Sequence, residues 1–225
     1  PCTDSPLFEL PQVVVTPHLG ASTAEAQDRA GTDVAASVKL ALAGEFVPDA
    51  VNVGGGVVGE EVAPWLDLVR KLGLLAGVLS GELPVSLSLQ VQGELATEEV
   101  EVLRLSALRG LFSAVIEDQV TFVNAPALAA DRGVQASIAT APESPNHRSV
   151  VDVRAVGADG STVNVAGTLS GPRLVEKIVQ INGRNLDLRA EGINLIINYD
   201  DQPGALGKIG TLLGGATVNI LAAQL

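Results

Sequence analysis

The chain has little sulfur: among 225 residues there is one cysteine, Cys2, and no methionine. An intrachain disulfide is therefore excluded. So is a multi-cysteine metal site or an iron–sulfur cluster built within one chain. A reducing compartment, the cytoplasm, is the simple expectation. Aromatic residues are also scarce, with Trp65, Tyr199 and four phenylalanines, so any core must be packed from Val, Leu, Ile and Ala. No apolar run reaches about 18 residues, and no transmembrane helix is expected. The opening residues, Pro1 to Pro6, do not read as a signal peptide. Positive charge is in short supply: 14 Lys and Arg against 26 Asp and Glu leave a net charge of −12. That balance disfavours nucleic acid and anionic membrane as partners. It leaves room for a small anion, since local cations can oppose the overall sign. What the chain has in quantity is hydrophobic residues, 47% of the total, which argues against disorder and allows more than one core. With no initiator methionine and a half-built motif at its end, the sequence reads as an internal piece of a longer protein.

Val13-Val14-Val15 reads as a short buried strand, and Thr16-Pro17-His18-Leu19-Gly20 as the loop leaving it. A helix follows from Ala21 to Leu42, capped by Ser22 or Thr23, with Glu25 in its first turn. Ala30, Val34, Val38 and Leu42 fall at helical spacing, and Gly44 ends the helix. A histidine at the mouth of a helix can be structural. It can also shuttle a proton near neutral pH. The stretch from Val13 to Asn52 resembles the end of the catalytic portion of the D-isomer-specific 2-hydroxyacid dehydrogenases. That resemblance implies that His18 is the catalytic acid/base for NAD-dependent hydride transfer. It also implies a Rossmann-type catalytic region ending at about residue 56. The Gly-rich dinucleotide loop of that family is missing: no G-x-G-x-x-G stands between a strand and a helix here. Gly54-Gly55-Gly56 reads as a hinge, so this chain alone is not expected to bind NAD or turn over substrate.

Residues 57–192 read as an α+β unit with a mostly antiparallel sheet. Glu60 to Val78 is an amphipathic helix, with Pro64 tolerable only in its first turn. Leu83 to Leu95 alternates apolar and polar as a half-buried strand does. Glu98 to Phe112 is a helix, Val120 to Val123 a strand, Ala125 to Ala130 a short helix and Val134 to Ala139 a strand. His147, after a Pro/Ser-rich loop, reads as solvated. Two hairpins follow, one turning at Gly157 to Gly160 and one at Asn182-Gly183, the strongest short-range hairpin signal in the chain. The second places Lys177 and Arg189 on neighbouring strands. Two adjacent cations in an acidic protein invite an anion, although each could instead pair with a surface carboxylate such as Glu176 or Asp187.

From residue 193 the pattern changes again. Ile193 to Ile197 reads as a strand, Pro203-Gly204 opens a helix carrying Leu206, Ile209, Leu212 and Leu213, and Val218 to Ala223 begins another strand. The polar residue before x-Pro-Gly, with the Val218-Asn219-Ile220 strand, resembles an ACT domain, a ferredoxin-like βαββαβ module for small ligands, here truncated. The resemblance implies that Tyr199, Asp201 and Asn219 contact an amino-acid effector. The alternative is that Asp201 merely caps the helix.

Taken together, the three stretches in this order resemble the long-form, actinobacterial-type phosphoglycerate dehydrogenase family. That implies 3-phosphoglycerate as substrate, NAD as cofactor, L-serine as feedback effector and self-association, as a homotetramer. It also implies that the intervening domain binds anionic substrate through Lys177 and Arg189. Position 185 departs from the family pattern, with Asn185 where a histidine is expected. A non-catalytic amino-acid-binding ACT module is the alternative reading. An iron–sulfur dehydratase subunit fits poorly with a lone cysteine.

Overall fold

The computed structural model describes residues 4–51, 58–200 and 202–224. Cys2, the Gly54–Gly56 hinge and Asp201 thus lie outside the described residues. Among the described residues, five α-helices and one six-stranded sheet form the fold. In chain order the elements are α1 (Ala24–Leu42), α2 (Trp65–Ser80), β1 (Ser86–Gly93), α3 (Glu101–Ser113), α4 (Ala125–Asp131), β2 (Gln135–Ala141), β3 (Ser149–Val156), β4 (Thr162–Ser170), β5 (Val175–Ile181), β6 (Arg184–Arg189) and α5 (Ala205–Gly215).

The sheet order is β2-β1-β3-β4-β5-β6. Only β1 and β2 run parallel, joined through α3 and α4, because a parallel pair needs a crossover. The other neighbours are antiparallel. The alternation in β1 is realised fully: Leu87, Leu89 and Val91 are buried, and the serines and glutamines between them face outward. Val151, Val153 and Ala155 of β3, Val165 of β4 and Ile178 of β5 extend the same apolar face. α2 and α3 pack over it and supply Leu68, Val69, Leu72, Leu103, Leu108, Leu111 and Phe112. The core is therefore a two-layer sandwich within residues 58–190. Its three buried polar side chains are satisfied internally. Ser106 donates to the Leu66 carbonyl, Thr168 donates to the Ser149 carbonyl at 2.6 Å, and the Ser149 hydroxyl accepts from the Leu95 N–H at 3.0 Å.

α2 and α3 cross at glycines. A Cβ on Gly73 would overlap the Ala107 carbonyl, and one on Gly110 would overlap the Arg70 carbonyl. Backbone meets backbone here, and only glycine permits that approach.

Some expected elements take other forms. α2 starts at Trp65, not Glu60, because Pro64 sits at its N-cap and the preceding residues close turns onto Gly59 and Val62. Val120 to Val123 is a loop. The Asn124 side chain accepts the Thr121 N–H at 2.7 Å, and the Thr121 hydroxyl accepts the Asn124 N–H at 3.2 Å, so side chains take up the backbone that a strand would need. Val13 to Val15 forms no strand, and Val14 is 89% exposed. Among the described residues, Ile193 to Ile197 and Val218 to Ala223 also lack strand pairing, and Ile193 is fully exposed. An isolated apolar segment has nothing to ladder with, and edge groups stay with solvent. α5 forms as expected over the Leu206–Leu213 stripe, yet it buries no residue.

Candidate anion site

The β5–β6 hairpin is set by its turn. Asn182 and Gly183 both have positive φ, 47° and 81°, the combination a tight two-residue turn of matching twist demands. The register that follows places Lys177 directly opposite Arg189, and Ile178 opposite Leu188. Since Ile178 and Leu188 belong to the helix-side core, Lys177 and Arg189 lie on the outer face of the sheet. Sequence spacing thus located a real pair of neighbouring cations.

Each cation has a carboxylate. Lys177 Nζ lies 2.7 Å from Asp187 Oδ1, and Arg189 Nη1 donates to Glu191 Oε1 at 3.1 Å. Asp187, Glu191 and Arg189 are each about two-thirds exposed. The Arg189–Glu191 pair, exposed on both sides, is worth about 0–1 kcal/mol, whereas the Lys177 side chain is only 25% exposed. A ligand phosphate or carboxylate that engages both cations at once can displace the two carboxylates.

Glu176, the other carboxylate that could have paired with Lys177, is engaged elsewhere. It reaches back to Lys71 of α2, which also bonds Asp67 at 2.9 Å, and Asp67 bridges to Arg70 at 2.7 Å. Burial raises the Asp67 pKa, but the Lys71 and Arg70 hydrogen bonds together outweigh it and hold the carboxyl below its ordinary value. Burial likewise opposes charge on Lys71, and the bonds from Asp67 and Glu176 more than restore it, so its pKa is raised. α2 therefore presents a charged edge to the strand that carries Lys177. Lys71 thereby ties helix to sheet.

A shallow cleft of about 160 Å³ opens on the sheet, lined by Gln92, His147, Asp152, Gln180 and Asn185 among others. His147 is half-buried there, not a free loop residue. Gln180 donates to Asn185 Oδ1 at 3.2 Å, and Asn164 donates to Asp152 at 3.0 Å. Desolvation pushes the Asp152 carboxyl up, against smaller opposing effects from Asn164 and Arg154.

The other expected site residues stand apart. His18 is exposed in the loop before α1, where the Thr23 hydroxyl caps the helix by accepting the Ala26 N–H at 3.2 Å. Tyr199 and Asn219 are exposed, one before and one after α5. Among the described residues no group of three or more His, Cys, Asp or Glu could hold a metal, and no helix is long and apolar enough to cross a membrane.

The architecture defines a class: an α+β domain with two helices on one face of a mixed sheet and a cation pair on the other. Residues 61–182 match the family model described as the D-3-phosphoglycerate dehydrogenase intervening domain, and the chain belongs to that family. All of the chain is 86% identical to a Mycobacterium tuberculosis protein and 81% identical to a Mycobacterium leprae protein, both named D-3-phosphoglycerate dehydrogenase. A Bacillus subtilis protein of the same name is 30% identical over the whole chain. The chain spans 43% of the length of each of these relatives.

Proposed function

We propose that this chain is the regulatory portion, with the last part of the catalytic region, of an NAD-dependent D-3-phosphoglycerate dehydrogenase in serine biosynthesis. Residues 1–56 close the catalytic region, 57–192 form the allosteric substrate-binding domain, and 193–225 begin an ACT domain. The observation that carries this reading is the whole-chain identity to relatives of that name. The Thr16-Pro17-His18 loop and the Lys177–Arg189 pairing add to it.

3-Phosphoglycerate carries a secondary hydroxyl between a carboxylate and a phosphate. A neutral imidazole at His18 can accept that hydroxyl proton as the alcohol is oxidised. NAD would take up the hydride. Among the described residues no Gly-rich turn sits between a strand and a helix to supply its site. At the β5–β6 pair, one anionic group of the same molecule would bridge Lys177 and Arg189 through charge-assisted hydrogen bonds. L-Serine would bind through Tyr199, Asp201 and Asn219 when two such segments meet, in a cytoplasmic homotetramer.

The test is a chimaera in which this chain replaces the corresponding stretch of the Mycobacterium tuberculosis relative. It should reduce NAD when given 3-phosphoglycerate. His18→Gln should lower kcat by about 10²–10⁴-fold, the usual contribution of a general base. A chimaera that folds and binds NAD but is equally active with Gln at position 18 refutes the assignment.

A further inference from the structure

α1 buries none of its residues, yet burial begins as soon as the helix ends. Gly44 and Val47 are buried, and Phe46 and Ala50 pack on Leu105 and Phe122 of the α+β unit. Phe46 meets Phe122 edge to face, with ring centroids 5.6 Å apart at 84°. The Arg109 guanidinium sits over the Phe122 ring, 5.1 Å from its centroid, and its Nε donates to the Val120 carbonyl at 3.1 Å. Gln119 donates to the Leu42 carbonyl in the last turn of α1 at 3.4 Å. Gly44, at φ 73°, turns the chain between these groups, and a Cβ there would stand 2.9 Å from Gln119 Nε2 and 3.1 Å from Arg109 Nη2. On the arm's side these contacts are made by residues 42–50, ahead of residue 52.

Arg109 is also a chain neighbour of Gly110, at the α3 end of a set of contacts whose β5 end, Glu176, is the chain neighbour of Lys177 on the opposite face of the sheet. Glu176 neighbours Lys177 on β5 and bonds Lys71 of α2. Lys71 and Arg70 share Asp67. The Arg70 backbone abuts Gly110 of α3, and Ser106 of α3 donates to the Leu66 carbonyl. Arg109 lies between those two α3 positions.

From this geometry we propose that Gly44–Ala50 is a latched arm of the α+β domain and that Arg109, through Phe122 and Phe46, is a positioning residue that sets the direction of α1. Occupation of the Lys177–Arg189 pair, which competes with Asp187 and redistributes charge around Glu176 and Lys71, is transmitted to the base of α1 by this route. α1 then acts as a lever. Nineteen residues make a rod about 28 Å long, so a tilt of about 10° at the latch shifts its far end by about 5 Å. That end lies six residues after His18. The coupling half of this inference rests on the ligand assignment above; the latch half does not.

Hydrogen exchange on the whole chain separates the two. Without ligand, Phe46→Ala should speed exchange at residues 40–50 by about tenfold and leave β1–β6 unchanged. Phe46→Tyr, which keeps the edge contact, should restore protection. Exchange at 40–50 that ignores Phe46→Ala, or that rises equally throughout the sheet, overturns the latch. With 3-phosphoglycerate bound, exchange at 40–50 should change by about threefold or more. Lys71→Met should abolish that change without abolishing binding. Bound ligand with no change at 40–50 overturns the coupling. Absence of binding by calorimetry overturns the ligand assignment and the coupling with it, and leaves the latch to be judged by the ligand-free comparison alone.

Discussion

Two acidic residues of the same sheet-and-helix unit have environments of opposite sign. Asp67 is held in its charged form by Lys71 and Arg70 despite partial burial. Asp152 is desolvated, with the Asn164 amide donating to it. A depressed carboxyl adds stability above its unfolded pKa and loses it as pH falls through the folded pKa. A raised carboxyl does the reverse: its charge costs stability near neutrality, and the cost fades as pH falls through the raised value. Asp67→Asn should therefore lower the melting temperature at pH 7, and the difference from wild type should disappear on acidification. Asp152→Asn should raise it at pH 7, with that difference also vanishing in acid. Thermal melts of both variants across pH 3–7 check the signs; two variants that shift in the same direction at pH 7 contradict the local geometry. The Asp67 sign is set by Arg70 and Lys71 one helical turn away on α2, whereas the Asp152 sign could not be read from sequence, because its burial and its Asn164 partner come from strand pairing.

At the scale of elements, glycine position decides more than glycine count. Gly110 and Gly73 lie where α2 and α3 touch through their backbones. Gly110→Ala must force the helices apart. Overpacking costs about 1–3 kcal/mol, which exceeds the roughly 1 kcal/mol that alanine offers a helix interior. Gly210 in α5 has open space around its Cβ position, so Gly210→Ala should stabilise that helix by roughly 0.5–1 kcal/mol. Chemical denaturation for the first and helicity by circular dichroism for the second give the two signs. The elements themselves were largely legible. The period-two pattern of β1, the Asn182-Gly183 turn and the capped run of α1 each carry their own local signal. Val120 to Val123 misled because its β-branched composition is overruled by Asn124, a neighbour whose side chain captures the backbone. The arm around Phe46 was illegible for a different reason: its partners Arg109 and Phe122 lie more than sixty residues away and share no pattern with it.

For the molecule as a whole, packing is uneven. Residues 58–190 hold the sandwich core, whereas α1 and α5 bury nothing and carry exposed Val34, Leu42, Leu206 and Leu212. Apolar faces of that extent call for cover by another surface. Amides of residues 193–224 should consequently exchange far faster than those of β1–β6 in the monomeric chain. Exchange mass spectrometry at low protein concentration checks this, and slow exchange throughout 193–224 in a monomer would show packing that the structure lacks. The sequence located this contrast by reading residues 193–225 as a truncated module, but it expected strands at Ile193 to Ile197 and Val218 to Ala223 that do not form among the described residues.

The central claim is that the outer face of this sheet receives an anionic metabolite between Lys177 and Arg189. Calorimetric titration of the chain with 3-phosphoglycerate tests it most directly. Each cation should contribute a charge-assisted hydrogen bond of about 1.5–3 kcal/mol, so Lys177→Gln and Arg189→Gln should each weaken binding by about 10–100-fold, more at low salt than at high. Binding that is unaltered by both substitutions in a folded protein would place the ligand elsewhere and contradict the account.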